Sequence, residues 1–564
     1  MKQTKDRIAG LHGRFFCTEN GRHGGTRYAF SGDCLLGLHL ILPRSLGAHE
    51  VLACLTPDVG GESLSVPLSL IHSERGWEEY AAMLDTARIF SRGRLFFLTL
   101  SFRSVYGLLY GRATEGERVS FSHEAGRGFP ILLTEQREEL TVGGGVLAMP
   151  FSALASTGEL CRGEDGDYDR FFSHLAAHGV KALLLSLSAC EGAGLREEAL
   201  ALPPAVRESA AAHGVACLFD LLPFVSLHKV GRLSEPTDPQ GYGFCDAGEA
   251  PALPPAFGIA DPISPAALCG EEGILARAID GGYFGVFLRY ADRFGDPFLC
   301  AVRRELSLRA QGALFLGCVA CPDVDGIAFG RRRRFFDGAL DGLVSYALRN
   351  ALLAYLSDGA TELLSSFLSR TLAAMPTHQL CHAVHPLDEP SGVPFSSLLA
   401  PVVEGQGGEG HLSDLSRLAF LIAATLPGMP MLPEGGAEEE AFAFRLRLFG
   451  MRRKEKTLHT GRLRLHTLTP DLLVFSRERE GEMLLTVINR SPDALKISSA
   501  DGFSVLFGGR GRKLLYRLAP YSGTVLRFEL FTGEVGALSF QRVPILSRDT
   551  RFTVRSCGAS VKSS

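Results

Sequence analysis

The chain contains no run of 18 apolar residues, so no membrane-spanning helix is expected. Its opening, MKQTKDRIAGLHGRFF, has neither a long apolar stretch nor a small-residue cleavage site, and no secretory signal is expected. An excess of one charge is also missing. The net charge of −4 excludes a strong long-range pull toward nucleic acid or anionic lipid, so neither is expected as a partner. Trp77 is the only tryptophan, too little to argue for an aromatic sugar platform around it. The 13 cysteines are odd in number, and most sit inside apolar runs, as Cys54, Cys217 and Cys300 do. That is the habit of buried thiols in a reducing compartment, not of a disulfide framework, and a cytoplasmic protein is expected.

What is present is enough chain, 564 residues, for about three domains. Over residues 1–140 short runs such as RYAFSG, CLLGLHLIL, EVLACLTP, GRLFFLTLSF and VYGLLYGR are rich in Leu, Phe and Tyr and separated by Gly, Pro and Asp. These read as strands of an antiparallel β-sandwich. After glycines 143–145 the pattern changes: an amphipathic helix, a short Gly-containing turn and a wholly apolar strand recur in series. That is the signature of a parallel sheet covered on both faces. Eight strand candidates follow: VLAMP, VKALLLSL, VACLFDLL, YFGVFLR, ALFLGCV, LDGLVSY, TLAAM and LPGMPML. The predicted fold class is α/β, a (β/α)8 TIM barrel over residues 141–458. A second antiparallel β-sandwich is predicted over 459–535, with a loose polar tail at 536–564.

Several segments, in order, resemble the α-amylase superfamily of glycoside hydrolases, and its neopullulanase and cyclomaltodextrinase branch in particular. GDYDRFFSHLAAHGVKALLLSLS is similar to the family's helix and strand leading to "LSP", and GVACLFDLL to "GIKVILDVV". LDGLVSYALRNALLAYLSDG resembles the sixth strand and helix, and LAFLIAATLPGMPML the eighth strand. RLFGMRRKEKTLHTGRLRL resembles the exit helix. The resemblance implies α-glucan or maltooligosaccharide as ligand, no cofactor, no metal, and a homodimer formed through the N-terminal domain.

The catalytic motifs depart from that family. Its chemistry needs two carboxylates flanking a glycosidic oxygen, one a nucleophile and one an acid of raised pKa. By resemblance the nucleophile belongs to "GFRLD" on the fourth strand; here Gly285-Val286-Phe287-Leu288-Arg289 puts Arg289 at its position. The acid of "GE" after the fifth strand becomes Cys318, and the third carboxylate, aligned after TLAAM, becomes Thr377. An arginine stays protonated and cannot attack an anomeric carbon. A cysteine, with an ordinary pKa of about 8.5, is a poor proton donor to a leaving alcohol. The loop after the second strand, which carries a stacking Tyr in the family, is shortened. The implied reading is a barrel without hydrolysis, in a binding, regulatory or scaffolding role. The runner-up is a glycosidase with relocated carboxylates, drawn from Asp292, Asp323, Asp388 and Glu389. The same resemblance offers Asp220, Tyr346 and His378 as sugar-contacting positions.

Asp220 ends an apolar strand and is expected to accept from Arg289. Asp292 lies three residues beyond Arg289, off the same strand face. Cys318, Cys321, His378, Cys381 and His382 are metal-ligand types after two barrel strands, but their spacing is generic and buried thiols are the simpler expectation. Four arginines at 331–334 and the acidic run EGGAEEE from Glu434 read as solvated or mutually paired charges.

Overall fold

The computed structural model describes the chain between residues 8 and 554 apart from single residues and short stretches; those of four residues or more are 24–28, 91–94, 135–143, 155–167, 187–199, 222–269, 320–326, 333–338, 376–379, 389–393, 406–410, 434–438, 530–537 and 544–550. The chain divides into two compact units. One is Met1–Glu139 with Ser365–Thr377 and Arg462–Leu465; the other holds Leu140–Leu364, His378–Gly461 and His466–Ser564.

The first unit is built on a 12-stranded, almost wholly antiparallel sheet wrapped around one apolar core. Alternation explains the strand Leu35–Pro43: Leu36, Leu38, Leu40 and Leu42 are fully buried, while His39 and Ile41 on the other face are only partly covered. Each leucine buried in this way contributes about 1.5–3 kcal/mol. The strands His12–Glu19 and Trp77–Asp85, which flank it on either side, were not among the runs expected from sequence. Both mix polar with apolar residues and lack a purely apolar run, and only His12–Glu19 alternates in burial.

The second unit contains the closed parallel barrel. Its strands are β1 (Gly145–Pro150), β2 (Val180–Ser186), β3 (Ala216–Leu221), β4 (Gly285–Leu288), β5 (Leu314–Cys318), β6 (Gly342–Val344), β7 (Val384–Pro386) and β8 (Met429–Pro433). The helices that cover it include α1 (Tyr168–Ala177), α2 (Pro204–His213), α3 (Ile274–Asp280), α4 (Asp296–Arg309), α5 (Ala347–Asp358), α6 (Phe395–Gly405), α7 (Leu412–Thr425) and α8 (Glu439–Lys454). Seven strands lie where the sequence put them. The seventh does not: Phe367–Thr371 is helical and Leu372 continues it, while β7 is Val384–Pro386. TLAAM is therefore not the seventh strand, and Thr377, outside the described residues, loses the alignment that made it the third-carboxylate position.

Period 2 decides what fills the barrel. Ala182 and Leu184, Leu218, Phe287, Leu314 and Leu316, Val344, Val384, and Met429 and Met431 form one apolar cluster, with Cys318 packed against it. Between the turn after α7 and β8, Gly428 holds φ +100°. A β-carbon there would sit 2.6 Å from His385 Nε2, so glycine is required both by the backbone and by the imidazole.

The C-terminal sheet has eight strands and runs past the expected boundary. Leu538–Val543 pairs with Ala494–Phe507, and Arg551–Val554 pairs with Leu538–Val543. The stretch predicted as a loose tail thus supplies two strands; its alternation is short and interrupted, which hid it. The buried Arg477 and the half-buried Arg490 tie this sheet to the barrel helices. Arg477 donates to the carbonyls of Gly461 (2.8 Å) and Thr425 (3.2 Å), and Arg490 donates to those of Leu356 (3.1 Å) and Ser357 (2.5 Å). Arg452, fully buried, donates to Ala424, Leu426 and Gly428. These are carbonyls at and after the end of α7, which no longer have intrahelical donors.

Candidate functional site at the mouth of the barrel

Sites in such barrels form where the strands end at their C-terminal edge. The inward-facing series of three neighbouring strands ends there in polar residues. On β3 Leu218 is followed by Asp220, on β4 Phe287 by Arg289, and on β5 Leu316 by Cys318, each two residues on. Register puts Asp220 beside Phe287, one inward position below Arg289, whose N donates to the Leu221 carbonyl at 3.0 Å.

Arg289 and Asp220 form the ion pair expected from the sequence. Arg289 Nε donates to Asp220 Oδ1 at 2.8 Å and to Oδ2 at 3.1 Å, and Nη2 donates to Oδ2 at 2.7 Å. Both residues are buried. The fork-on-carboxylate geometry occupies both oxygens of the aspartate. The guanidinium also lies 5.9 Å from the Phe287 ring centroid.

A second carboxylate follows β7. Asp388 is buried and pairs with Arg445 Nη1 of α8 at 2.9 Å, while its Oδ1 accepts from Phe395 N, the first residue of α6, at 2.5 Å. Arg445 in turn lies 3.8 Å over the Phe420 ring. Nothing in the local sequence points to Arg445, which is 57 residues away from Asp388 (445 minus 388). The only available hint was that an aspartate in an apolar stretch needs a partner.

The remaining candidates lie as follows. Asp292 sits in the short turn Ala291–Arg293, half-buried, and is not the next inward position after Arg289. Tyr346 immediately precedes α5, with the Arg349 guanidinium 4.7 Å over its ring. Cys318 is half-buried at the end of β5. His378, Asp323, Glu389, Cys321 and Cys381 lie outside the described residues, as do the loop after β2 at 187–199, residues 333–334 of the arginine run and the 434–438 stretch. Among the described residues no three metal-ligand types converge.

Neither a protein-family model nor a curated protein sequence matches the chain. Solved structures do. A cyclomaltodextrinase superimposes with a TM-score of 0.54 at 14% identity, covering 91% of this chain and 99% of its own. The type III pullulan hydrolase from Thermococcus kodakarensis gives 0.51 at 14%, covering 89% and 98%. The maltogenic amylase from S. marinus gives 0.51 at 13%, covering 88% and 80%. The chain has the fold of these enzymes. The likeness spans nearly the whole chain, including both β-rich ends and the barrel, and it agrees with the family resemblance drawn from the sequence motifs. At these identities it speaks for fold and leaves the chemistry to the residues at the barrel mouth.

Two histidines of depressed pKa, the buried His385 of β7 and the half-buried His459 beyond α8, bear on the protein's response to acid. His385 donates from Nε2 to the Pro427 carbonyl at 2.8 Å, and burial, with Arg452 adding repulsion, lowers its pKa to about 4. His459 donates from Nε2 to the Arg452 carbonyl at 2.7 Å and is lowered to about 4, first by burial and then by Arg452. A depressed histidine binds its proton only in the unfolded chain between the ordinary value of about 6.5 and the folded value. Stability is therefore greatest above pH 6.5 and falls toward pH 4, by up to about 1.4 kcal/mol per pH unit for His385 and by less for the half-buried His459, where solvent screens the interaction. Urea denaturation at pH 7, 6 and 5 should show a falling midpoint, with a shallower fall in His459→Gln. A midpoint flat over that window would contradict the assignment.

Proposed function

We propose that this is a non-hydrolytic α-amylase-type protein of α-glucan metabolism, whose barrel serves as a binding, regulatory or scaffolding frame for α-1,4- or α-1,6-linked glucan. The observation that carries this reading is the buried Arg289–Asp220 pair. It puts a cation on β4 at the position that the family resemblance assigns to the nucleophile. A fixed positive charge there opposes an oxocarbenium-like transition state, beyond the loss of the carboxylate itself. Asp220 is a poor substitute nucleophile because both of its oxygens accept from Arg289. Cys318 at the end of β5 does not supply an acid. Asp388, the described relocated carboxylate nearest in sequence to a barrel strand end, is committed to Arg445 and to the start of α6.

The test is to incubate the purified protein with maltooligosaccharides, pullulan and an activated aryl α-glucoside, following binding heat and released sugar together. Binding heat without release is the expected result. Release that persists in Asp292→Ala, Asp323→Ala and Asp388→Ala would overturn both this reading and relocated-carboxylate catalysis. Release abolished by Asp292→Ala or Asp323→Ala, or by Asp388→Ala in protein shown to be folded at the assay temperature, would favour relocation.

A further inference from the structure

Two histidines stand outside every role described above. His174 and His178 are four residues apart at the C-terminal end of α1, a spacing that stacks side chains on one helix face. Their ring centroids are 4.2 Å apart, with the planes tilted by 41°. Two imidazoles that meet one divalent metal at about 2.1 Å each, with roughly 90° between the bonds, bring their centroids to about 4.5 Å. The observed separation is close to that of a chelate. The tautomer is set as well. His178 Nδ1 donates to the His174 carbonyl at 2.8 Å, which leaves the lone pair of Nε2 available. An outer hydrogen bond of this kind accompanies most metal-bound histidines and fixes the ring's orientation.

We propose that His174 and His178 form a two-histidine site for a divalent transition metal of the Ni2+ or Cu2+ class, with water completing the coordination. His174 is exposed, so metal reaches it from solution. The terminal carbonyls of α1 favour a cation at this end of the helix. Arg453 and Arg170 work against it. Arg453 Nη1 donates to the Ala176 carbonyl at 3.2 Å. Arg170, one turn before His174, adds repulsion toward a bound cation. Asp169 is engaged by His213 Nε2 of α2 at 2.7 Å and belongs to a separate contact. With two protein ligands the metal is exchangeable, unlike a closed four-ligand structural zinc. Its effect is to clamp the last turn of α1, directly before Gly179 and β2.

Calorimetric titration with NiCl2 and thermal unfolding with and without it would test this on four proteins: wild type, His174→Ala, His178→Ala and His213→Ala. Wild type and His213→Ala should bind one equivalent and melt higher with Ni2+. Each of the other two should lose that equivalent and the rise in Tm. Cu2+ should bind more tightly than Ni2+. His174→Ala keeps the backbone carbonyl that His178 uses, so a loss of binding there is not a loss of the helix end. No heat and no Tm rise in wild type, or an unchanged Ni2+ affinity in both His174→Ala and His178→Ala, overturns the proposal.

Discussion

Asp220→Ala is expected to lower the unfolding free energy by about 3–5 kcal/mol, and Asp220→Leu combined with Arg289→Met to recover most of that loss. The single change leaves Arg289 charged, buried and without the carboxylate that accepts three of its hydrogen bonds. The desolvation cost of the guanidinium is then no longer offset. The double change removes both charges and puts apolar volume beside Phe287 and Leu218, which already line the barrel. Ion pairs of this kind are often neutral against well-packed apolar replacements, so the double variant should fall within about 1–2 kcal/mol of wild type. Urea melts of wild type, Asp220→Leu, Arg289→Met and the double variant give the coupling energy directly. A coupling near zero would mean that the two charges are solvated separately and that the barrel mouth is open water at this point. Such a result would also remove the main support for the non-hydrolytic reading.

Why was this pair legible in the sequence, and the other buried pair not? Asp220 and Arg289 each lie two residues beyond an inward apolar residue on adjacent strands, so strand period and parallel order bring them together without a fold in hand. Asp388 and Arg445 meet across β7 and α8, elements whose relative placement no local pattern encodes. The seventh strand was misread for a related reason. TLAAM and AVHPL are both short and apolar, and over five residues periodicity does not distinguish a strand from a buried helical segment. In β7 the proline and histidine are both accommodated: Pro386 ends the strand, and His385 finds the Pro427 carbonyl behind it. The barrel as a whole was legible because repetition averages over such errors. The last two strands of the C-terminal sheet lacked that support.

The position of β7 also leads to the second large effect. Asp388→Ala is expected to cost about 3–5 kcal/mol of stability, and Asp388→Asn less. The carboxylate has two structural tasks: it neutralises Arg445 inside the protein, and it accepts from the first amide of α6. Burial already pulls Arg445 below its ordinary pKa, and Asp388 is the group that opposes this. Without it the guanidinium keeps only the Phe420 ring among these partners, worth about 2 kcal/mol or more when desolvated. Asparagine still offers an oxygen to Phe395 N, which is why its cost is smaller. A working catalytic carboxylate behaves in the opposite way, because active-site charges are commonly held at some expense to stability and their removal leaves the fold intact or firmer. Melting Asp388→Ala and Asp388→Asn therefore separates the two roles without any substrate. A variant as stable as wild type would return Asp388 to the list of catalytic candidates. A loss of several kcal/mol, graded from Asn to Ala, makes it the pin that joins β7, α6 and α8.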